Sequence, residues 1–204
     1  MGGNDRIDFP DFEYDALIFD LDGTLVDSMP AHFHSWCAAL AQFGAPGILG
    51  EDVFYAMGGR PTHDIVADLN GEHALKLDPH AVRLAKREHY LSHLESVTLN
   101  EQVADYLKVN AGKVPIAVAT GASRIGAERT LQAVGLSDLI DEVVTSDEVE
   151  QRKPAPDVYL ETAARIGVPP DSCVAFEDAP AGIMAAQAAG MHAVAVPPPV
   201  RVIG

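Results

Sequence analysis

DALIFDLDGTLVDS, residues 15–28, drives an apolar run straight into three acids, Asp20, Asp22 and Asp27. The run has the composition of a buried strand. Asp20 and Asp22 lie one residue apart in extended chain, so their side chains leave on the same side, and Gly23 permits the turn that follows. Both carboxyls are ordinarily ionised at neutral pH. The cluster is therefore either a solvated turn or the seat of something positive.

Working outward, four further short runs rich in Val, Ile and Ala read as buried strands: VPIAVAT at 114–120, EVVTS at 142–146, SCVAFED at 172–178 and HAVAVP at 192–197. Helical patterns separate them, over 124–134 closed by Gly135, 156–166 closed by Gly167 and 180–189 closed by Gly190. Proline near the start and glycine just past the end mark the last two. This alternation predicts an α/β fold, a Rossmann-like parallel sheet covered by helices on both faces. Ligands gather at the carboxyl ends of such strands. Three of those ends carry reactive side chains: Asp20 and Asp22, then Thr120 and Ser123, then Glu177 and Asp178.

Residues 30–97 break the pattern. They read as helices (AHFHSWCAALAQF, THDIVADL, HAVRLAKREHYLSHL), with GAPGILG at 44–50 as a connection, and they hold seven of the eight histidines. This segment has 8 acids and 5 bases, whereas the rest has 22 and 9. A small α-helical domain, 30–97, is thus expected to be inserted into a core formed by 1–29 and 98–204. There is no internal repeat and no low-complexity segment beyond the PPP at 197–199.

Composition excludes several classes. A formal net charge of −16 argues against a nucleic-acid partner, because phosphate backbones are met by clustered Lys and Arg. No apolar stretch approaches the roughly 18–20 residues of a membrane span, and the acidic start MGGNDRIDFPDFEYD has no apolar signal core, so a cytoplasmic protein is expected. Cys37 and Cys173 form no CxxC pair, and two buried thiols are the plain reading.

Carboxylates as close as Asp20, Asp22 and Asp178 repel one another unless a cation sits among them, and oxygen-only donors suit Mg²⁺ better than zinc. A metal-bound carboxylate is also a nucleophile that needs no base, and a phosphoryl group is its natural electrophile. Lys153 would neutralise the phosphoryl charge, Thr120 would donate a hydrogen bond, and Asp22 would shuttle the proton.

The set as a whole resembles the haloacid dehalogenase superfamily, on four motifs in that family's order: DLDGTLVDS at 20–28, Thr120 in AVATGAS, Lys153 in RKPAPDVYL, and FEDAPAGIMAAQAAGM at 176–191. The nearest subgroup looks like β-phosphoglucomutase together with small sugar-phosphate phosphatases of the fructose-1-phosphate type. The resemblance implies Asp20 as nucleophile and Mg²⁺ ligand, and Asp22 as general acid/base and main-chain metal ligand. Asp178 would be the third ligand, with Glu177 beside it as ligand or supporting partner. Thr120, Gly121 and Lys153 would hold the phosphoryl group, and the helical insertion would be a cap that closes over the site. In that cap His32, Arg60 and Lys86 are expected to meet the substrate, with Lys76, Arg83 and Arg87 as further cations. Asp27 reads as a helix-capping residue, and His32 and His34, two apart on a helix, point to different faces.

The expected activity is Mg²⁺-dependent hydrolysis of a small phosphorylated metabolite, a sugar phosphate, by a monomer. A β-phosphoglucomutase is the alternative, weakened because Arg60 in MGGRPTHD precedes Pro61 and so departs from the mutase pattern. A phospho-acceptor signalling domain and a non-catalytic binding domain remain less favoured, since Asp22 and the cap suit turnover and no motif residue is missing.

Overall fold

The computed structural model describes residues 7–57 and 60–197. MGGNDR at the start, the two glycines of MGGRPTHD, and the chain from the second proline of PPP onward lie outside the described residues.

The chain forms two compact units, 28–97 and the flanking segments together. The division falls two residues before the expected boundary, because helix α1 (Met29–Gln42) already has its N-cap at Ser28. In the larger unit, β1 (Ala16–Phe19), β4 (Ile116–Thr120), β5 (Glu142–Thr145), β6 (Cys173–Glu177) and β7 (His192–Ala195) make one sheet in the order β5-β4-β1-β6-β7. Every pairing in it is parallel, with Ile18 opposite Ala117 on one side and Ala175 on the other. The chain builds β4 and β5 on one side of β1 and then crosses back to build β6 and β7 on the other, and this reversal beside β1 opens a crevice at the carboxyl ends of the strands.

Alternation along β1 divides its side chains between two faces. Ala16 and Ile18 join a core that includes Val158, Tyr159 and Ala163 of helix α7 (Asp157–Ile166) and Ala185 and Ala186 of helix α8 (Pro180–Ala188). On β1 and β6, Phe19 and Phe176 stack at 4.8 Å. Tyr106 of helix α5 (Glu101–Asn110) reaches Phe176 at 5.5 Å and stacks on Phe9 at 4.4 Å. Helix α6 (Arg124–Ala133) follows β4, with Ser123 capping it through Gly126 N–H.

A second, two-stranded sheet pairs β2 (Val26–Asp27) with β3 (Thr98–Leu99), antiparallel. It corrects the reading of Asp27: the residue is in a strand opposite Thr98, and the N-cap of α1 is Ser28.

The smaller unit contains α1, α2 (Glu51–Ala56), α3 (Thr62–His73) and α4 (Pro79–Leu91), with no strand among its described residues. Trp36, Leu40, Leu49, Phe54, Ile65, Leu69 and Val82 form its own core. Asn70 fixes the link to α4 by accepting from Leu77 N–H at 2.8 Å and donating to Leu77 C=O at 2.9 Å. Among the described residues no helix is long and apolar enough to cross a membrane.

Glu148 ties the end of β5 to two helices. It accepts from Arg124 at 2.5 Å, from Arg165 at 2.8 Å, and from Thr145 N–H and Oγ1 at 3.0 and 2.8 Å. Partial burial pushes its carboxyl up, but the bonds from Arg124, Arg165 and Thr145 prevail and hold it at about 2. A carboxyl lowered on folding contributes stability above its unfolded value, about 4.3, that is lost as the pH falls through the folded one. With solvent screening the contribution is on the order of 1 kcal/mol. Urea unfolding of Glu148→Gln is therefore expected to show that deficit at neutral pH and to converge on wild type between about pH 5 and about pH 2; a deficit that persists unchanged in acid contradicts it.

Candidate active site

Three strand ends converge. Asp20 follows β1, and its N–H bonds to Phe176 C=O on β6 at 2.9 Å, locking the two ends in register. Glu177 closes β6 and Asp178 follows it. One carboxylate oxygen from each of Asp20, Glu177 and Asp178 lies within 4.8 Å of the others.

Lys153, from the loop before α7, enters this cluster. Its Nζ donates to Asp20 Oδ1 at 2.6 Å, to Ala119 C=O on β4 at 3.0 Å and, in a short contact, to Glu177 Oε1. Burial alone would lower its affinity for the proton, but Asp20 and Glu177 outweigh that and keep it charged. Three carboxylates against one ammonium leave two negative charges, which a divalent cation would neutralise. The donors are all hard oxygens, the chemistry of a Mg²⁺-type site. The acids register the imbalance. Burial, then Glu177, pushes Asp20 well above the usual carboxylate range against the pull of Lys153. Asp178 is raised to about 6, chiefly by burial, with the Thr24 hydrogen bond opposing.

Thr120 ends β4, buried, and its Oγ1 accepts Ala122 N–H at 3.0 Å. That bond occupies a lone pair and leaves the hydroxyl proton for a ligand oxygen. Gly121 follows, exposed, its carbonyl held by Ser146 Oγ at 2.9 Å from the end of β5. Asp22 is half-buried, directly before Gly23 in the turn, and bridges to Val26.

The sequence names Asp20, Asp22, Thr120, Gly121, Lys153, Glu177 and Asp178; the fold gathers Asp20, Lys153, Glu177 and Asp178 into one cluster, with Thr120 and Gly121 at the end of β4, the strand beside β1, and Asp22 two residues past Asp20. The sequence does not name three residues that position them. Thr24 donates to Asp178 Oδ1 at 2.9 Å, Ser146 holds the Gly121 loop, and Tyr159 donates to Glu177 Oε1 at 2.9 Å. Thr24 lay in the quoted motif, but nothing in its position marks its partner 154 residues away.

In the helical unit, His32 on α1 stacks on Tyr90 of α4 at 4.1 Å, and Lys86 lies over the Trp36 ring at 5.5 Å. Arg60 is paired with Asp68 at 2.7 Å, both exposed. His34 is exposed on the same helix as half-buried His32, as their spacing required.

Residues 17–196 match the haloacid dehalogenase-like hydrolase family. The chain is 41% identical over 185 residues to the fructose-1-phosphate phosphatase YqaB of Escherichia coli, covering 90% of this chain and 96% of that protein. It is 34% identical over 187 residues to hexitol phosphatase A of the same organism, covering 90% and 83%. The fold is similar to that of CbbY from Rhodobacter sphaeroides, solved in complex with phosphate, with a TM-score of 0.79 at 24% identity over 88% of this chain and 84% of that one. Motif order, sheet topology and a match that runs almost end to end agree: the chain belongs to the haloacid dehalogenase-like hydrolases, in company with relatives named as phosphatases.

Proposed function

We propose that the protein is a Mg²⁺-dependent phosphatase that hydrolyses small phosphate monoesters, sugar phosphates foremost, through a phosphorylated Asp20. The observation that carries this reading is the placement of Asp20: one carboxylate oxygen is held by Lys153, within an oxygen cluster whose charge calls for a divalent cation. The sugar preference is supported by the name of the E. coli relative.

Asp20, Asp178 and the main-chain carbonyl of Asp22 would hold the cation, which supplies charge neutralisation that lets an anion approach a phosphate. Asp20 attacks phosphorus as the bond to the substrate oxygen breaks, and Asp22 gives its proton to the departing alkoxide. Asp22, now a carboxylate, takes a proton from water, whose oxygen attacks the acyl phosphate and returns Asp20 and inorganic phosphate. Lys153 and the Thr120 hydroxyl hold the phosphoryl oxygens, with Gly121 leaving room beside them. We assign the choice of sugar to the helical unit, with His32, Arg60 and Lys86 as its candidate contacts.

The test is a panel of fructose 1-phosphate, other sugar phosphates, phosphoglycolate and β-glucose 1-phosphate, scoring released phosphate and isomerised sugar separately. Phosphate release is expected to be fastest with a sugar phosphate, to stop on chelation and to return with Mg²⁺. Conversion of β-glucose 1-phosphate to glucose 6-phosphate, primed by a bisphosphate and with little free phosphate, would replace the phosphatase reading with a mutase.

A further inference from the structure

Tyr159 is fully buried on α7, in the apolar core beneath the sheet, yet it presents its hydroxyl to the site. A buried phenol needs a partner, and this one donates to Glu177 Oε1 at 2.9 Å. The same oxygen accepts from Lys153 Nζ, and that ammonium stands 4.9 Å from the centroid of the Tyr159 ring. Tyr159 therefore touches the lysine twice, directly through its ring face and indirectly through the acid the lysine binds. Burial, with Glu177 and Asp20 adding to it, holds the phenol proton in place, so the hydroxyl stays a donor. Glu177 is 1% exposed, and its other oxygen accepts Ala179 N–H at 3.3 Å, so both oxygens are engaged within the protein.

We propose that Tyr159 is a positioning residue for the hydrolysis: its hydroxyl on Glu177 and its ring beneath Lys153 fix the ammonium against Asp20 and commit Glu177 to the lysine instead of the cation. The inference rests on the phosphatase reading for its kinetic consequence, though not for its geometry. Without the hydroxyl, Glu177 Oε1 keeps one donor in place of two, and Lys153 gains freedom where a small displacement is expensive for phosphoryl transfer. Ground-state binding, shared with Thr120 and the cation, suffers less.

The test uses Tyr159→Phe in the full chain, which keeps the ring and removes only the donor. Expected are a fall in kcat of about tenfold with KM within about twofold and faster modification of Lys153 by trinitrobenzenesulfonate relative to exposed Lys113 in the same digest. The Mg²⁺ dissociation constant from calorimetry should stay within about twofold. Tyr159→Leu, which also removes the ring, should raise Lys153 labelling further. Unchanged kcat and unchanged Lys153 labelling, with only a lower melting temperature, would reduce Tyr159 to a core residue and overturn the proposal. A Mg²⁺ affinity weakened about tenfold, with labelling unchanged, would overturn it in favour of Glu177 as a direct ligand. If wild type released no phosphate from any substrate, the phosphatase reading would fail while labelling and calorimetry still decided the role of Tyr159.

Discussion

Asp20→Asn is expected to lower phosphate release by a factor on the order of 10⁴ or more, the scale of losing a nucleophile, while leaving the metal-free protein no less stable than wild type. The two halves have one cause. The Asp20 carboxylate is nearly buried, and burial with Glu177 and Asp178 disfavours its charge more than Lys153 favours it. A carboxyl whose affinity for the proton rises on folding costs stability at neutral pH and regains it as the pH falls, the reverse of Glu148. Asparagine abolishes the nucleophile and that cost together, while giving up a charged bond to Lys153 at 2.6 Å. Initial rates on the best substrate and a melting curve at neutral pH in chelator check both. Full activity in the variant would move the covalent step to another residue, and a large drop in melting temperature would show that the bond to Lys153 outweighs the burial of the charge.

Gly182→Ala is the second large effect expected, about 2 kcal/mol of stability and on the order of 100-fold in kcat. Gly182 lies in the first turn of α8, where a Cβ would overlap the carboxyl group of Glu177. Glu177 cannot yield, being buried and held by Lys153, Tyr159 and Ala179. Alanine in a helix interior ordinarily gains about 1 kcal/mol over glycine, so a loss here isolates the collision. Gly71 on α3, whose Cβ would meet nothing within 4 Å, supplies the control: its alanine variant should gain stability. If Gly182→Ala were as stable and active as wild type, Glu177 would have room to move, and its role as an anchor for Lys153 would fall.

All five strands of the main sheet were legible because each is a short apolar run bounded by turn residues, although only β1, β4 and β6 are buried throughout and the edge strand His192–Ala195 buries Val194 alone. What escaped has weaker signals. Helix α5 buries only the stripe Val103, Ala104 and Leu107 in an otherwise polar segment, and α2 has 6 residues, too few for a period to show. The 2-residue strands β2 and β3 owe their pairing to chain closure, which no local pattern encodes, and so Asp27 was misread as a helix cap. At the site, ionisable residues at strand ends announced themselves by type. Tyr159 did not, because an aromatic at a core position of an amphipathic helix looks the same whether its hydroxyl is used or idle.

The small β2–β3 sheet also bears on how such a chain can diversify. Val26 faces Leu99 and Asp27 faces Thr98, so the points where the 28–97 segment departs and returns are antiparallel neighbours, about 5 Å apart. Any module whose own ends meet at that spacing can be spliced there without shifting the register of a single strand in the main sheet. The scaffold that bears Asp20 can therefore keep its pairing whatever length or sequence of chain runs between those two strands.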